Sequence, residues 1–170
     1  MKIIDLAQNS PEWLEFRRDK IGASDAPVIM GVSPFKTPYQ LYLDKVENMH
    51  QPQNSAMKRG HDLEAEARQA FEAMYETLYM DKITVVPYVV QSDIYEWMIA
   101  SLDGLDMGKG VMVEIKCPGQ KDHDLAMSGK IPEHYIPQLQ HQLFVTGLNK
   151  MFYFSYRKGD SHPVLLEYSL

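Results

Sequence analysis

The stretch that decides the fold is Ser101-Leu102-Asp103-Gly104-Leu105-Asp106-Met107-Gly108-Lys109-Gly110-Val111-Met112-Val113-Glu114-Ile115-Lys116-Cys117-Pro118. Two largely apolar runs meet across a glycine-rich turn, so the segment reads as an antiparallel hairpin. A two-residue loop at Gly108-Lys109 pairs Asp103 with Glu114 and Ser101 with Lys116. Side chains alternate along a strand, which puts these four on one face. The two carboxylates then stand opposite each other, with Cβ atoms about 4.5–5.5 Å apart. A slip of one residue breaks the pairing. Val111, Val113 and Ile115 fall on the other face, which is therefore expected to be buried. Like charges so close require compensation, either a raised pKa on one carboxyl or a bound cation. A hard divalent cation suits two carboxylates better than zinc does, and Lys116 adds a positive charge beside it. Taken alone, the same residues also fit a solvent-facing hairpin whose Asp, Glu and Lys are merely hydrated.

Outward from the hairpin the pattern changes period. Towards the N-terminus, Ser10 and Pro11 open a helix carrying Trp13, Leu14 and Phe16-Arg17, which stops by Gly22. Ser24-Asp25 starts a second short helix ending near Gly31, and Thr37-Pro38 a third with Leu41, Leu43 and Val46 for packing. The polar run Asn48-Met49-His50-Gln51-Pro52-Gln53-Asn54 reads as a loop and the one plausible hinge. Residues 55–77 carry the longest helical pattern, with Leu63, Ala67, Ala70, Phe71 and Met74 on one face. Strands follow over 82–90 (interrupted by Pro87), 95–102 and 111–115. A helix covers much of 132–146, kinked or restarted by Pro137, and strands at 151–156 and 164–168 complete the list. This order predicts an α/β (α+β) fold, a mixed central β-sheet flanked by helices, in one domain over residues 1–170.

Composition narrows the class. A chain of 170 residues is long enough to bury a sizeable core. Lys plus Arg is 17 against 23 for Asp plus Glu, a net charge of −6, which argues against nonspecific coating of nucleic acid. The single cysteine, Cys117, excludes a disulfide framework, a four-cysteine zinc site and a four-cysteine iron–sulfur cluster. It reads as a small packed residue, since no paired base is evident. His134 and His141 lie on one helical pattern, but zinc needs more ligands than they supply. No long apolar run and no signal-peptide stretch are present, so the expectation is a soluble, cytosolic-type domain with no membrane partner.

Four segments together resemble the lambda-exonuclease-like, or YqaJ-like, viral recombinase family of the PD-(D/E)xK nuclease superfamily. They are Trp13-x3-Arg17-x3-Ile21-Gly22-Ala23-Ser24, then Arg59-Gly60-His61-Asp62-Leu63-Glu64, then the hairpin pair, then Tyr135-Ile136-Pro137-Gln138-Leu139-Gln140. Each is weak alone; in this order they are specific. Two features depart from the family. Leu102 stands where the name-giving motif has proline, and only 28 residues follow Gln142.

The resemblance implies a restriction-endonuclease-like core and a set of roles. Asp103, Glu114 and the backbone carbonyl of Ile115 would hold one or two Mg²⁺ or Mn²⁺ ions, with Glu64 helping directly or through water. Lys116 would orient or activate the attacking water, so Glu64, Asp103, Glu114 and Lys116 form the implied catalytic set. Arg17, Ser24, Ser101 and Gln138 are the implied pocket for a terminal 5′-phosphate. Ser24 is expected at a helix start, where free N–H groups and the dipole favour an anion. Lys58-Arg59 would touch the DNA backbone or be a solvated pair, and some tyrosines would stack on separated bases. The implied activity is 5′→3′ hydrolysis of one strand of linear duplex DNA from a phosphorylated end. It yields mononucleotides and a 3′ overhang for phage-type recombination. The implied partners are a ring-shaped homotrimer and a single-strand annealing protein, in the cytoplasm of a bacterial or phage-infected cell. The alternatives are another nuclease on the same core, such as an endonuclease, or a catalytically idle DNA-binding module.

Overall fold

The fold is seen in a computed structural model that describes residues 1–47, 55–159 and 162–170, with the backbone alone at 55–59 and 61. The hinge expected at 48–54 and the side chains of Lys58, Arg59 and His61 lie outside the described residues. The chain divides into two compact units. One takes Met1–Pro52, Tyr88–Ser101 and Glu133–Asn149, and the other Gln53–Pro87, Leu102–Pro132 and Lys150–Leu170.

In the first unit, α1 (Pro11–Phe16) begins as its sequence dictates, with the Ser10 hydroxyl accepting the Trp13 N–H at 3.1 Å and proline in the first turn. A one-turn 3-10 helix (Ala23–Asp25) leads into α2 (Ala26–Ile29), and α3 (Pro38–Val46) starts in a Thr37/Gln40 capping box. A second 3-10 turn (Glu133–Tyr135) precedes α6 (Ile136–Thr146), whose second residue is Pro137, so the proline restarts the helix rather than kinking it. Gly147, at φ 73°, closes α6 in the left-handed region. Strand β1 (Lys2–Ile4) pairs antiparallel with Val89–Gln91 of β3 (Val86–Gln91), and β2 (Ile21–Gly22) pairs parallel with the start of β4 (Met98–Asp106). Neither β1 nor β2 is foreseen from the sequence, because two or three residues carry no readable period.

In the second unit, α4 (Ser55–Tyr79) presents Ala67, Phe71 and Tyr75 to Val113, Ile115, Phe152 and Phe154, forming the core together with Ile83 and Val85. The Phe71 ring meets Phe154 edge-on at 5.7 Å, and Tyr75 meets Phe152 at 5.6 Å. Strand β5 (Val111–Lys116) is antiparallel to β4 and parallel to β6 (Lys150–Ser155), which pairs antiparallel with β7 (Val164–Ser169). Both kinds of pairing and the helices make the fold the expected α/β class with a mixed sheet.

Strand β3 starts later than its apolar pattern predicts. Residues before it find side-chain acceptors instead of a ladder: Val85 N–H donates to Glu72 Oε1 at 2.8 Å and Thr84 N–H to Asp106 Oδ2 at 3.3 Å. Helix α5 (Gln120–Met127) is also unforeseen, since it buries only His123 and Ala126. Among the described residues no helix is long and apolar enough to cross a membrane.

Candidate active site

The β4–β5 hairpin has the centre expected from the sequence but not the expected turn. Its ladder pairs Gly104 with Val113, Leu105 with Met112 and Asp106 with Val111, a register centred between Gly108 and Lys109. Four residues, Met107–Gly110, separate the last pair, so the loop is not the two-residue one. Asp106 Oδ1 accepts the Lys109 N–H at 3.0 Å, and the left-handed φ of 64° falls on Gly110. Gly104 is demanded by packing. A Cβ there would lie 2.8 Å from Val85 Cγ2 and 2.9 Å from Val113 Cγ1.

One step beyond the paired residues, Asp103 and Glu114 come together. Glu114 is only 2% exposed, which overturns the solvent-facing reading of the hairpin. Val113 and Ile115, on the alternate face, are buried as expected. Asp103 Oδ2 accepts the Ile115 N–H at 2.8 Å, and the Lys116 ammonium lies 2.5 Å from Glu114 Oε1. Burial first, and then the Glu114 charge, hold the Asp103 carboxyl well above the usual carboxylate range. Lys116 and the Ile115 N–H pull it back, while Glu64 pushes it further up. Glu64, Asp103, Glu114 and Lys116 thus act on one electrostatic site.

Arg68 belongs to the same site and is missed by the sequence reading. It sits one turn along α4 from Glu64, with its Nη2 2.5 Å from Glu64 Oε1, and its Nε donates to the Asp103 carbonyl at 2.8 Å. An Arg four residues after a Glu reads as an ordinary surface pair, so only the contact with Asp103 gives it away. Among the described residues, no three His, Cys, Asp or Glu groups converge closely enough to hold a metal by themselves.

The residues assigned to a phosphate pocket lie in the first unit, with Ser101 on its edge of β4. Trp13 ties two of them together, because its ring lies 4.5 Å under the Arg17 guanidinium and its Nε1 donates to Ser101 Oγ at 3.0 Å. Asp25, only 5% exposed, is the hub: it accepts the Gly22 N–H at 2.9 Å and pairs with Lys45 at 3.0 Å and Arg17 at 3.5 Å. Lys45 also donates to the carbonyls of Arg17 and Lys20 at 3.0 and 2.7 Å. Burial holds its ammonium below the usual lysine range, and Asp25 pulls it back up.

Ser24 is exposed and sits in the first turn of the helical segment expected there, the second residue of the 3-10 turn that opens at Ala23 and runs into α2. Asp25 closes that start by accepting the Gly22 N–H. Gln138 is buried on α6, which packs against that same turn.

Other residues singled out by the sequence go elsewhere. His141 bonds to the Ile99 carbonyl at 3.0 Å, and His134 meets Phe35 edge-on at 5.8 Å. Cys117 is partly exposed and packs at the margin of the second unit's core.

A mixed sheet whose hairpin carries a half-buried Asp beside a buried Glu, with a lysine, defines a domain with the fold of the solved alkaline exonucleases. The alkaline exonuclease LHK-Exo of Laribacter hongkongensis is 28% identical, with a TM-score of 0.70 over 93% of this chain and 82% of that one. LHK-Exo in complex with dAMP superposes with a TM-score of 0.72 at 23% identity, covering 94% of this chain and 82% of that one. The chain belongs to the YqaJ-like viral recombinase domain family, whose model matches residues 12–149. The YqaJ protein of Bacillus subtilis (strain 168) is 32% identical over 148 residues, 84% of this chain; the chain spans 45% of that relative's length.

Proposed function

We propose that this chain is a metal-dependent nuclease that removes nucleotides from one strand of linear duplex DNA, starting at a 5′-phosphorylated end. The observation that carries the reading is the half-buried Asp103 beside the buried Glu114, where burial and then the Glu114 charge raise the Asp103 carboxyl. That donor set fits a hard cation. Mg²⁺ is commonly bound through one or two carboxylates with water completing its shell. Asp103, Glu114 and the Ile115 carbonyl would hold one or two Mg²⁺ or Mn²⁺ ions, and Glu64, anchored by Arg68, would support them through water. Such an ion supplies neutralisation of the phosphate and a water acidic enough to attack.

The chain's own groups do the rest. Lys116 orients the attacking water and offsets charge building on the phosphate. The Ile115 N–H fixes one Asp103 oxygen, leaving the other to face the reaction. Arg17, with Ser24, Ser101 and Gln138, recognises the terminal phosphate: a guanidinium fork with neutral donors suits a phosphomonoester. Resemblance to the family further supports a homotrimer and cooperation with a single-strand annealing protein.

The test is digestion of linear duplex bearing 5′-phosphate or 5′-hydroxyl ends, with Mg²⁺ or chelator, beside a closed circle. Mononucleotide release from phosphorylated ends, absent with chelator and in Glu114→Ala, is the expected result. Cutting of the closed circle would instead identify an endonuclease, and no release with Mg²⁺ would end the reading.

A further inference from the structure

The second unit contains a cavity of about 160 Å³ whose walls include Leu63, Cys117, Tyr156, Arg157 and Lys158. Among the described residues its lining includes two cations, Arg157 and Lys158. Three separate segments bring it next to the carboxylate site. Leu63 adjoins Glu64 on α4, and Cys117 follows Lys116 at the end of β5. Tyr156 N–H donates to the Lys116 carbonyl at 2.8 Å, extending the β5–β6 ladder by one step. The cavity therefore adjoins the proposed catalytic groups along the chain at Leu63 and Cys117, and through the backbone bond from Tyr156 to Lys116.

We propose that this cavity holds the backbone phosphodiester adjacent to the one being cut, on the same strand. The inference rests on the nuclease reading above. Lys158 pairs at 2.8 Å with Glu66 Oε2, and Glu66 also accepts the Tyr156 hydroxyl; the pair is solvent-exposed and weak, so the ammonium can turn towards an anion. Arg157 donates to Gln120 Oε1, a neutral amide, and so keeps its full charge and its remaining N–H donors for an anion. Two cations reading a phosphate position the strand without selecting sequence. A strand gripped one linkage away is also held in line at the carboxylates, which is where misplacement is costly to rate.

The probe is a 5′-phosphorylated linear duplex with a neutral methylphosphonate at the second linkage from the 5′ end, digested with Mg²⁺ beside the unmodified duplex. The wild type is expected to cut the first linkage of the modified strand with kcat/KM about tenfold lower, a single charge-assisted contact being lost. Moving the methylphosphonate several linkages inward should restore the rate. An Arg157→Gln/Lys158→Gln double variant should lose a similar factor on the unmodified duplex, mainly through KM. Its log(kcat/KM) should also fall less steeply with log[salt], by about one unit of slope. On the methylphosphonate duplex it should lose nothing more. Losses that multiply, or a wild type indifferent to the second linkage, overturn the cavity assignment while leaving the nuclease reading intact. The wild-type comparison needs no variant to fold. A wild type inactive on both duplexes removes the nuclease reading and this inference with it.

Discussion

Arg68 donates from Nε to the backbone carbonyl of Asp103 at 2.8 Å, joining the long helix to the carboxylate strand. Its other contact, with Glu64, makes it a strut between two groups of the proposed metal site. Removing such an outer support commonly costs about 10- to 100-fold in metal affinity or activity. Arg68→Gln is expected to fall in that range, chiefly in kcat, with the midpoint of Mg²⁺ activation moved to higher concentration. Steady-state kinetics across a Mg²⁺ titration would reveal it; an unchanged Mg²⁺ midpoint would reduce Arg68 to a surface ion pair.

Asp103 makes the metal-free protein less stable than it could be. Its folded-state pKa is raised, so in the window from the ordinary carboxylate range up to the raised value the folded state holds a proton the unfolded state has lost. Stability contributed by the neutral form is therefore lost as pH rises through that window, and the cost is complete above it. Asp103→Asn should abolish nuclease activity yet raise Tm in chelator at pH 8 by a few degrees, about what a cost of 1 kcal/mol implies for a chain this size. At a pH below the ordinary carboxylate range the difference should vanish. A melting series against pH, with chelator throughout, decides this.

The hairpin was legible because strand alternation and a glycine-rich turn fix a centre even when the loop length is misjudged. Met107 and Gly110 lengthen the turn symmetrically, so Asp103 and Glu114 still meet. Arg68 was not legible, since its contact with Asp103 spans 35 positions and no local pattern encodes it. Helix α5 failed for a different reason: His123 is one of its two buried residues, with its Nδ1 2.8 Å from Ser155 Oγ, and a buried histidine looks polar in a sequence.

The Asp25–Lys45 pair holds both the backbone and the side chain of Arg17. Lys45→Met would leave Asp25 largely enclosed with one cation fewer, and breaking a buried pair from one side costs about 3 kcal/mol or more. Besides a lower urea midpoint, the variant should show weaker preference for 5′-phosphate over 5′-hydroxyl ends, through KM and with kcat little changed. Lys45→Arg should recover part of both. If stability falls while end preference stays, Lys45 supports the fold alone.

Gly104 tests the packing beneath the carboxylates. A methyl group there would press on Val85 Cγ2 and Val113 Cγ1, at 2.8 and 2.9 Å, and both neighbours are β-branched core residues with little freedom to turn away. Overpacking of this kind costs about 1–3 kcal/mol. Gly104→Ala should therefore lower the unfolding free energy by that amount and reduce activity as well, because Asp103 is the next residue on the strand. Val85→Ala alone should also destabilise, by opening a cavity. Combined, the two changes should cost less than their sum, since the new methyl occupies part of the space that the valine vacates. Urea unfolding of the wild type, both single variants and the double variant gives the coupling directly. Strict additivity would mean that the strand yields elsewhere and that Gly104 is not there to let it lie against Val85.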